Sequence, residues 1–310
     1  TNGTSLGLGG ECYGVVTRTG EGVTSVAVGD RVVGVPPAGM GSWLVTEERW
    51  VMRAADGVGA EDAVSGTMVY ATAWLGLHLQ ARISAGDTVL IHSAAGGVGL
   101  AATHLCLRAG CVVYATASTD QKRSLLLSLG AAAVFDSRNP TSFAAGIREA
   151  TGGAGVDVVL NSLAGDAAAT SLGLLKPFGR FVEIGKRDAY EGGSLPMAPF
   201  LRGLSYSTAH LDVLMLEQPE AARALLQTVA AALPSLPSLP VTSYSMADLN
   251  EALSYMGSGR HIGKILIRTT AVEAADTLPA VCGPPDDPLL RSLLPTLRQC
   301  GEAPAYPEGT

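Results

Sequence analysis

The residues with the plainest chemical meaning stand at Ala94-Ala95-Gly96-Gly97-Val98-Gly99. Glycines let the backbone approach a pyrophosphate, and a helix starting there offers unpaired N–H groups and the positive end of its dipole. Ala94 stands where the usual GxGxxG fingerprint has its first glycine, so the loop takes its meaning from context. A buried apolar run, 88–92, precedes it and a helical stretch to Arg108 follows. The end of the next strand selects between dinucleotides. An NAD site places an acid there to accept from the ribose hydroxyl. This chain has Tyr114-Ala115-Thr116-Ala117-Ser118, and Asp120 reads as the cap of the following helix. Ser118, with Lys122 and Arg123 one turn on and Arg138 after the third strand, suits a 2′-phosphate, so NADPH is the expected cofactor. The five cysteines, Cys12, Cys106, Cys111, Cys282 and Cys300, form no CxxC pair, and no Cys/His cluster has zinc spacing. Reduced thiols and no metal site are expected.

Such residues need elements that bring them to one edge. From about Tyr70 strands and helices alternate. Strands are expected at 88–92, 111–117, 132–135, 156–160 and 180–184, and helices up to 108 and at 121–129, 142–150 and 166–175. Uniformly apolar strands alternating with helices imply a parallel sheet covered on both faces, a doubly wound α/β fold. A further strand (205–211) and helix (218–233) follow, and the Pro-rich run 234–240 ends the domain. The first 65 residues read as short strands and turns, all-β. Residues 241–268, with a short helix at 247–255 and an alternating strand at 261–268, return to that first domain. The expected organisation is a mostly-β substrate domain over 1–68, an NADPH-binding Rossmann domain over 69–238, the return over 239–268, and a Pro-rich linker over 269–310.

Composition narrows the class. Of 310 residues, 47% are apolar and 16% charged, enough for a full core, so disorder is not expected over most of the chain. A net charge of −7 argues against nucleic acid or an anionic membrane as partner. The longest apolar stretch, 88–107, is broken by His92, Gly96, Gly97, Gly99 and His104, so it reads as strand, turn and helix instead of a membrane span. With no signal peptide visible and Thr1 no initiator, the expectation is a cytoplasmic fragment of a longer protein.

Several stretches resemble the medium-chain dehydrogenase/reductase superfamily. Gly14…Val16…Gly20…Val23…Val26…Gly29-Asp30-Arg31-Val32 looks like its GroES-like domain. Tyr70-Ala71-Thr72-Ala73-Trp74, the 86–92 segment and the Gly-Gly-Val-Gly loop look like its cofactor domain. Four segments, 92–99, Val156 to Gly165 with its Asn161-Ser162-Leu163, Gly179 to Lys186, and Arg260-His261-Ile262-Gly263-Lys264, resemble enoylreductase domains of modular polyketide synthases and animal-type fatty acid synthases. The resemblance covers about Leu6 to Arg268 and implies a GroES-like substrate domain lacking its N-terminal part.

It implies an activity: hydride from NADPH to the β-carbon of a trans-2-enoyl thioester, and a proton to the α-carbon. The partners implied are an acyl carrier protein holding the chain on phosphopantetheine, and neighbouring synthase domains. Thr72, Ala95, Gly96, Gly97, Val98, Ser118, Lys122, Arg138, Asn161, Ser162, Leu163, Gly185 and Lys264 are the expected cofactor-binding residues. Lys186, just past a strand's carboxyl end, is the expected enolate holder or proton donor. An aspartate is expected to work with it; Asp212 and the position of His210 both fit. His92 and His261 fit motif positions and are expected to serve structure. Zinc-dependent relatives carry Gly-His-Glu where this chain has Gly9-Gly10-Glu11, which implies a zinc-independent branch. The alternatives are an NADPH:quinone oxidoreductase and an inactive nucleotide-binding structural domain of a synthase.

Overall fold

A computed structural model describes residues 8–36 and 39–269. The chain opens with a small antiparallel sheet of β1 (Cys12–Val15), β2 (Arg31–Gly34) and β3 (Val51–Arg53). It then enters α1 (Ala60–Trp74), which runs on into a π-helical segment, Leu75–Gln80. The expectation of all-β structure through residue 65 fails at this point. Glu61 and Asp62 favour a helix N-terminus by charge. Ala63, Ser65, Gly66, Ala71 and Ala73 are buried along with Thr67, Val69 and Tyr70, so α1 has no polar stripe to betray its period.

The cofactor layer follows as β4 (Thr88–Ile91), α2 (Gly97–Arg108), β5 (Val112–Ala117), α3 (Asp120–Leu129), β6 (Ala133–Asp136), α4 (Pro140–Ala150), β7 (Val156–Asn161), α5 (Asp166–Leu172), β8 (Leu175–Glu183), α6 (Arg187–Glu191) and β9 (Ser205–Thr208). The six strands lie in the order β6-β5-β4-β7-β8-β9 and all pair parallel. The order reverses between β4 and β7, so the ligand crevice of this doubly wound fold lies beyond their carboxyl ends. Alternate residues explain the uninterrupted apolar runs. Val89, Ile91, Val158, Leu160 and Val182 pack on one face, and Leu90, Val159 and Phe181 pack on the other.

Several ends differ from expectation for local reasons. Thr119 is extended and caps α3, accepting from the Lys122 N–H at 3.3 Å; Asp120 is therefore the first helical residue and not the cap. Asn139 caps α4 with Pro140 behind it, two residues before the expected start. The helix expected over 166–175 stops at Leu172, because β8 begins at Leu175. The strand expected over 205–211 stops at Thr208, and an unforeseen helix, α7 (Leu211–Glu217), starts with His210 at its N-cap. After α8 (Pro219–Ala232) comes an unforeseen strand, β10 (Val241–Ser245), then α9 (Leu249–Gly257) and β11 (Lys264–Arg268), which pairs parallel with β10.

Gly263, just before β11, has φ +67, and an added Cβ would meet the Pro240 carbonyl oxygen at 2.0 Å. Its N–H donates to the Ala95 carbonyl at 2.9 Å, which seats the 260–264 turn on the glycine loop. The expected linker lies outside the described residues apart from Thr269. Among the described residues, no helix is long and apolar enough to cross a membrane.

Candidate active site

The glycine loop sits as the dinucleotide reading requires. Gly96 is the N-cap of α2 and Gly97 its first residue, with no side chain capping the free N–H groups. A Cβ on Gly99 would stand 2.5 Å from the Ala94 Cα, so this turn closes only with glycine. Ala95 is buried and Val98 half-buried. Beneath the loop His92 is buried, bonded to the Thr116 and Ser171 hydroxyls at 2.9 and 2.7 Å. Burial pushes it down to about 3, so it stays neutral and structural.

Ser118 follows β5, half-buried. Lys122 is 7% exposed, and its ammonium donates to the Gly259 carbonyl at 2.6 Å. Burial, and then the Arg138 charge, lower its pKa. Arg123 is tied to the Ala117 carbonyl and to Asp120. Arg138 is exposed, and its guanidinium makes no hydrogen bond to a described residue. His261 lies beside Lys122 and Lys264, and its Nδ1 is buried with no partner among the described residues. Lys122 and Arg138 held close together, next to a ring nitrogen with no partner among the described residues, fit a phosphate.

Lys264 lies over the glycine loop and also joins two segments of the small domain. Its ammonium reaches Glu11 at 2.5 Å, tying the start of β11 to the segment before β1, and its methylenes cover Gly97. Burial raises the Glu11 carboxyl against the pull of Lys264. Thr72 lies within α1 and bonds the Met68 carbonyl at 2.8 Å.

At the carboxyl edge of β7, β8 and β9 the remaining candidates meet. Asn161 is fully buried and holds both backbone groups of Leu163, donating to its carbonyl at 2.7 Å and accepting from its N–H at 3.3 Å. The Ser162 hydroxyl reaches that of Ser93 at 3.0 Å, which links the β4 and β7 loops. Gly185 lies against the Ser162 carbonyl. The Lys186 ammonium is ion-paired with Asp212, on the first turn of α7. Burial raises the Asp212 carboxyl, but the hydrogen bond and charge of Lys186 outweigh this and hold it below the aspartate range. His210 instead turns to the Gly185 carbonyl, 3.2 Å away. The acid beside the lysine is thus Asp212.

Three residues of this edge went unread in the sequence. Ser93 adopts φ +50, a conformation that non-glycine residues seldom hold. Glu183, the last residue of β8, accepts from the Asn161 amide and from the Gly185 N–H, both at 2.5 Å. Asp188 accepts from the Gly165 N–H at 2.8 and 3.0 Å. The readable signal was Glu183 itself, an acid closing an otherwise apolar strand end, Arg180-Phe181-Val182-Glu183.

Comparison with known proteins identifies the family. Residues 97–229 match the family of zinc-binding dehydrogenases. Zinc itself does not fit: among the described residues no three His, Cys, Asp or Glu are grouped to hold a metal ion. The chain is 41% identical over 285 residues to a phenolphthiocerol/phthiocerol polyketide synthase of Mycobacterium tuberculosis, covering 91% of this chain and 13% of that one. It therefore spans about an eighth of the length of that relative. Among solved structures, the CurK enoyl reductase is 34% identical with TM-score 0.77, covering 85% of this chain and 79% of that one. The nucleotide-binding subdomain of the PpsC enoylreductase domain of M. tuberculosis is 44% identical with TM-score 0.53, covering 56% and 97%. The chain belongs to the enoylreductase domains of polyketide synthases, nicotinamide-dependent oxidoreductases of the medium-chain dehydrogenase/reductase superfamily.

Proposed function

We propose that the domain reduces a trans-2-enoyl thioester, presented on an acyl carrier protein within a polyketide synthase, at the expense of NADPH. The Lys186–Asp212 pair at the crevice, two strands from the glycine loop, is the observation that carries this reading. When bound, NADPH supplies the hydride that forms the new C–H bond at the β-carbon. The α2 N-terminus with Gly96, Gly97 and Val98 binds the pyrophosphate. Lys122 and Arg138, with Ser118, take the 2′-phosphate. Asn161, Ser162, Leu163 and Gly185 line the crevice floor and keep water from it.

The Lys186 ammonium faces the thioester oxygen as negative charge grows there, then gives its proton to the α-carbon: one N–H bond breaks as one C–H bond forms. Asp212 holds the ammonium in place before the transfer. Zinc has no part in these steps. The deciding experiment measures NADPH oxidation with a crotonyl thioester and with a quinone. Reduction of the thioester with little quinone turnover supports the reading. Preference for the quinone, or no turnover at all, overturns it.

A further inference from the structure

Glu183 holds an unusual position for a carboxylate. It ends β8, is half-buried, and has no ion pair among the described residues. All its bonds come from N–H donors. The Asn161 amide approaches one oxygen and the Gly185 N–H the other, each at 2.5 Å. A carboxylate withdrawn from water with no cation nearby is costly. A glutamine would remove that cost, but its NH2 would point at one of the two donors.

Those donors belong to the two loops that form the crevice. Asn161 fixes Leu163 in the loop after β7, and Gly185 immediately precedes Lys186 in the loop after β8. His210 takes the Gly185 carbonyl from the other side, and Asp188 spans the same two loops by accepting from the Gly165 N–H. We propose that Glu183 is a positioning residue, whose ionised carboxylate locks the Asn161 and Gly185-Lys186 loops together and so aims the Lys186 ammonium at the substrate. The proposal rests on the enoyl-reductase reading of this crevice.

The groups that face Glu183 make it sensitive to pH. Burial, opposed by its N–H donors and helped by the Asp188 charge, pushes it up to about 7. The titratable side chains facing it are Asp188 on α6 and Tyr206 on β9; β7 faces it with the non-titrating Asn161. Below about pH 7 Glu183 carries a proton and loses an acceptor site, which frees one of the loops. Above it, both donors are matched.

The test compares the wild type with Glu183→Gln and Glu183→Asp. It records kcat against pH with NADPH and crotonyl thioester, NADPH affinity by fluorescence, and the melting temperature. The expected wild type loses kcat as pH falls through the glutamate's range and levels off about tenfold below its high-pH value. Glu183→Gln loses that limb and about tenfold in kcat above it, with NADPH affinity and melting nearly unchanged. Glu183→Asp, one methylene short of its donors, keeps a limb but at reduced kcat. A Glu183→Gln enzyme with wild-type kcat and an unchanged acid limb overturns the positioning role. So does a kcat lost only in step with melting or NADPH affinity. If the wild type fails to reduce the thioester, the function falls first and this role with it, and that outcome is told apart by the wild type alone.

Discussion

At the scale of single residues, the sequence left Asp212 and His210 as equal candidates for the acid. Only α7, which was not foreseen, decides between them: it starts between the two and turns Asp212 to Lys186 and His210 to the Gly185 carbonyl. Lys186→Ala should lower kcat by about 10²-fold or more with NADPH affinity unchanged, since a positioned proton donor typically supplies that much. Adding Asp212→Asn should cost less than the sum of the two changes, and His210→Ala alone should be mild; steady-state kinetics of the four variants check this. The cations beyond β5 divide differently. Arg138 is exposed and its guanidinium is unbonded among the described residues, so Arg138→Ala should weaken NADPH about 10- to 150-fold, from a charge-assisted bond of about 1.5–3 kcal/mol, and leave melting alone. Lys122 holds the Gly259 carbonyl, so Lys122→Ala should lower the melting temperature as well as NADPH affinity. Calorimetry and cofactor titration separate the two effects. Lys264 pairs with Glu11, and no pattern in the sequence connects residues so far apart.

At the scale of elements, what was legible is what apolar periodicity can write. The run 88–92 became β4, the strands on either side of it paired as expected, and the glycine loop fell at the head of α2. The misses share a cause. Buried on nearly every side by small residues, α1 shows no amphipathic stripe. β10 is five residues of Val241-Thr242-Ser243-Tyr244-Ser245, too polar to announce itself, and it exists because β11 lies beside it. The turn before β11 carries the most exacting backbone requirement of this region. Gly263→Ala would drive a Cβ into the Pro240 carbonyl and force φ +67 on a residue that resists it. A loss of about 1–3 kcal/mol is expected, read as a lower melting temperature, together with weaker NADPH binding because the turn no longer braces Ala95.

At the scale of the whole molecule, fold and family were legible from motifs spread over most of the chain. The chain covers 13% of its synthase relative, so the carrier protein and the neighbouring domains enter only through the proposal above. Its chemistry is still testable as it stands. Since no metal-holding group of donors exists among the described residues, a chelator should leave turnover intact. Stoichiometric zinc with activity lost on chelation would contradict this.

The contact between Gly263 and Ala95 has a further consequence, one of time. A chain made from its N-terminus completes the six parallel strands well before residue 263 leaves the ribosome. The nascent sheet therefore stands for a while with its glycine loop uncovered on one side, and joining such distant partners is the slow kind of step. Competence to hold a nucleotide firmly should arrive last in the domain's birth, and a transcript stalled just short of this glycine should yield a folded sheet that binds its cofactor poorly.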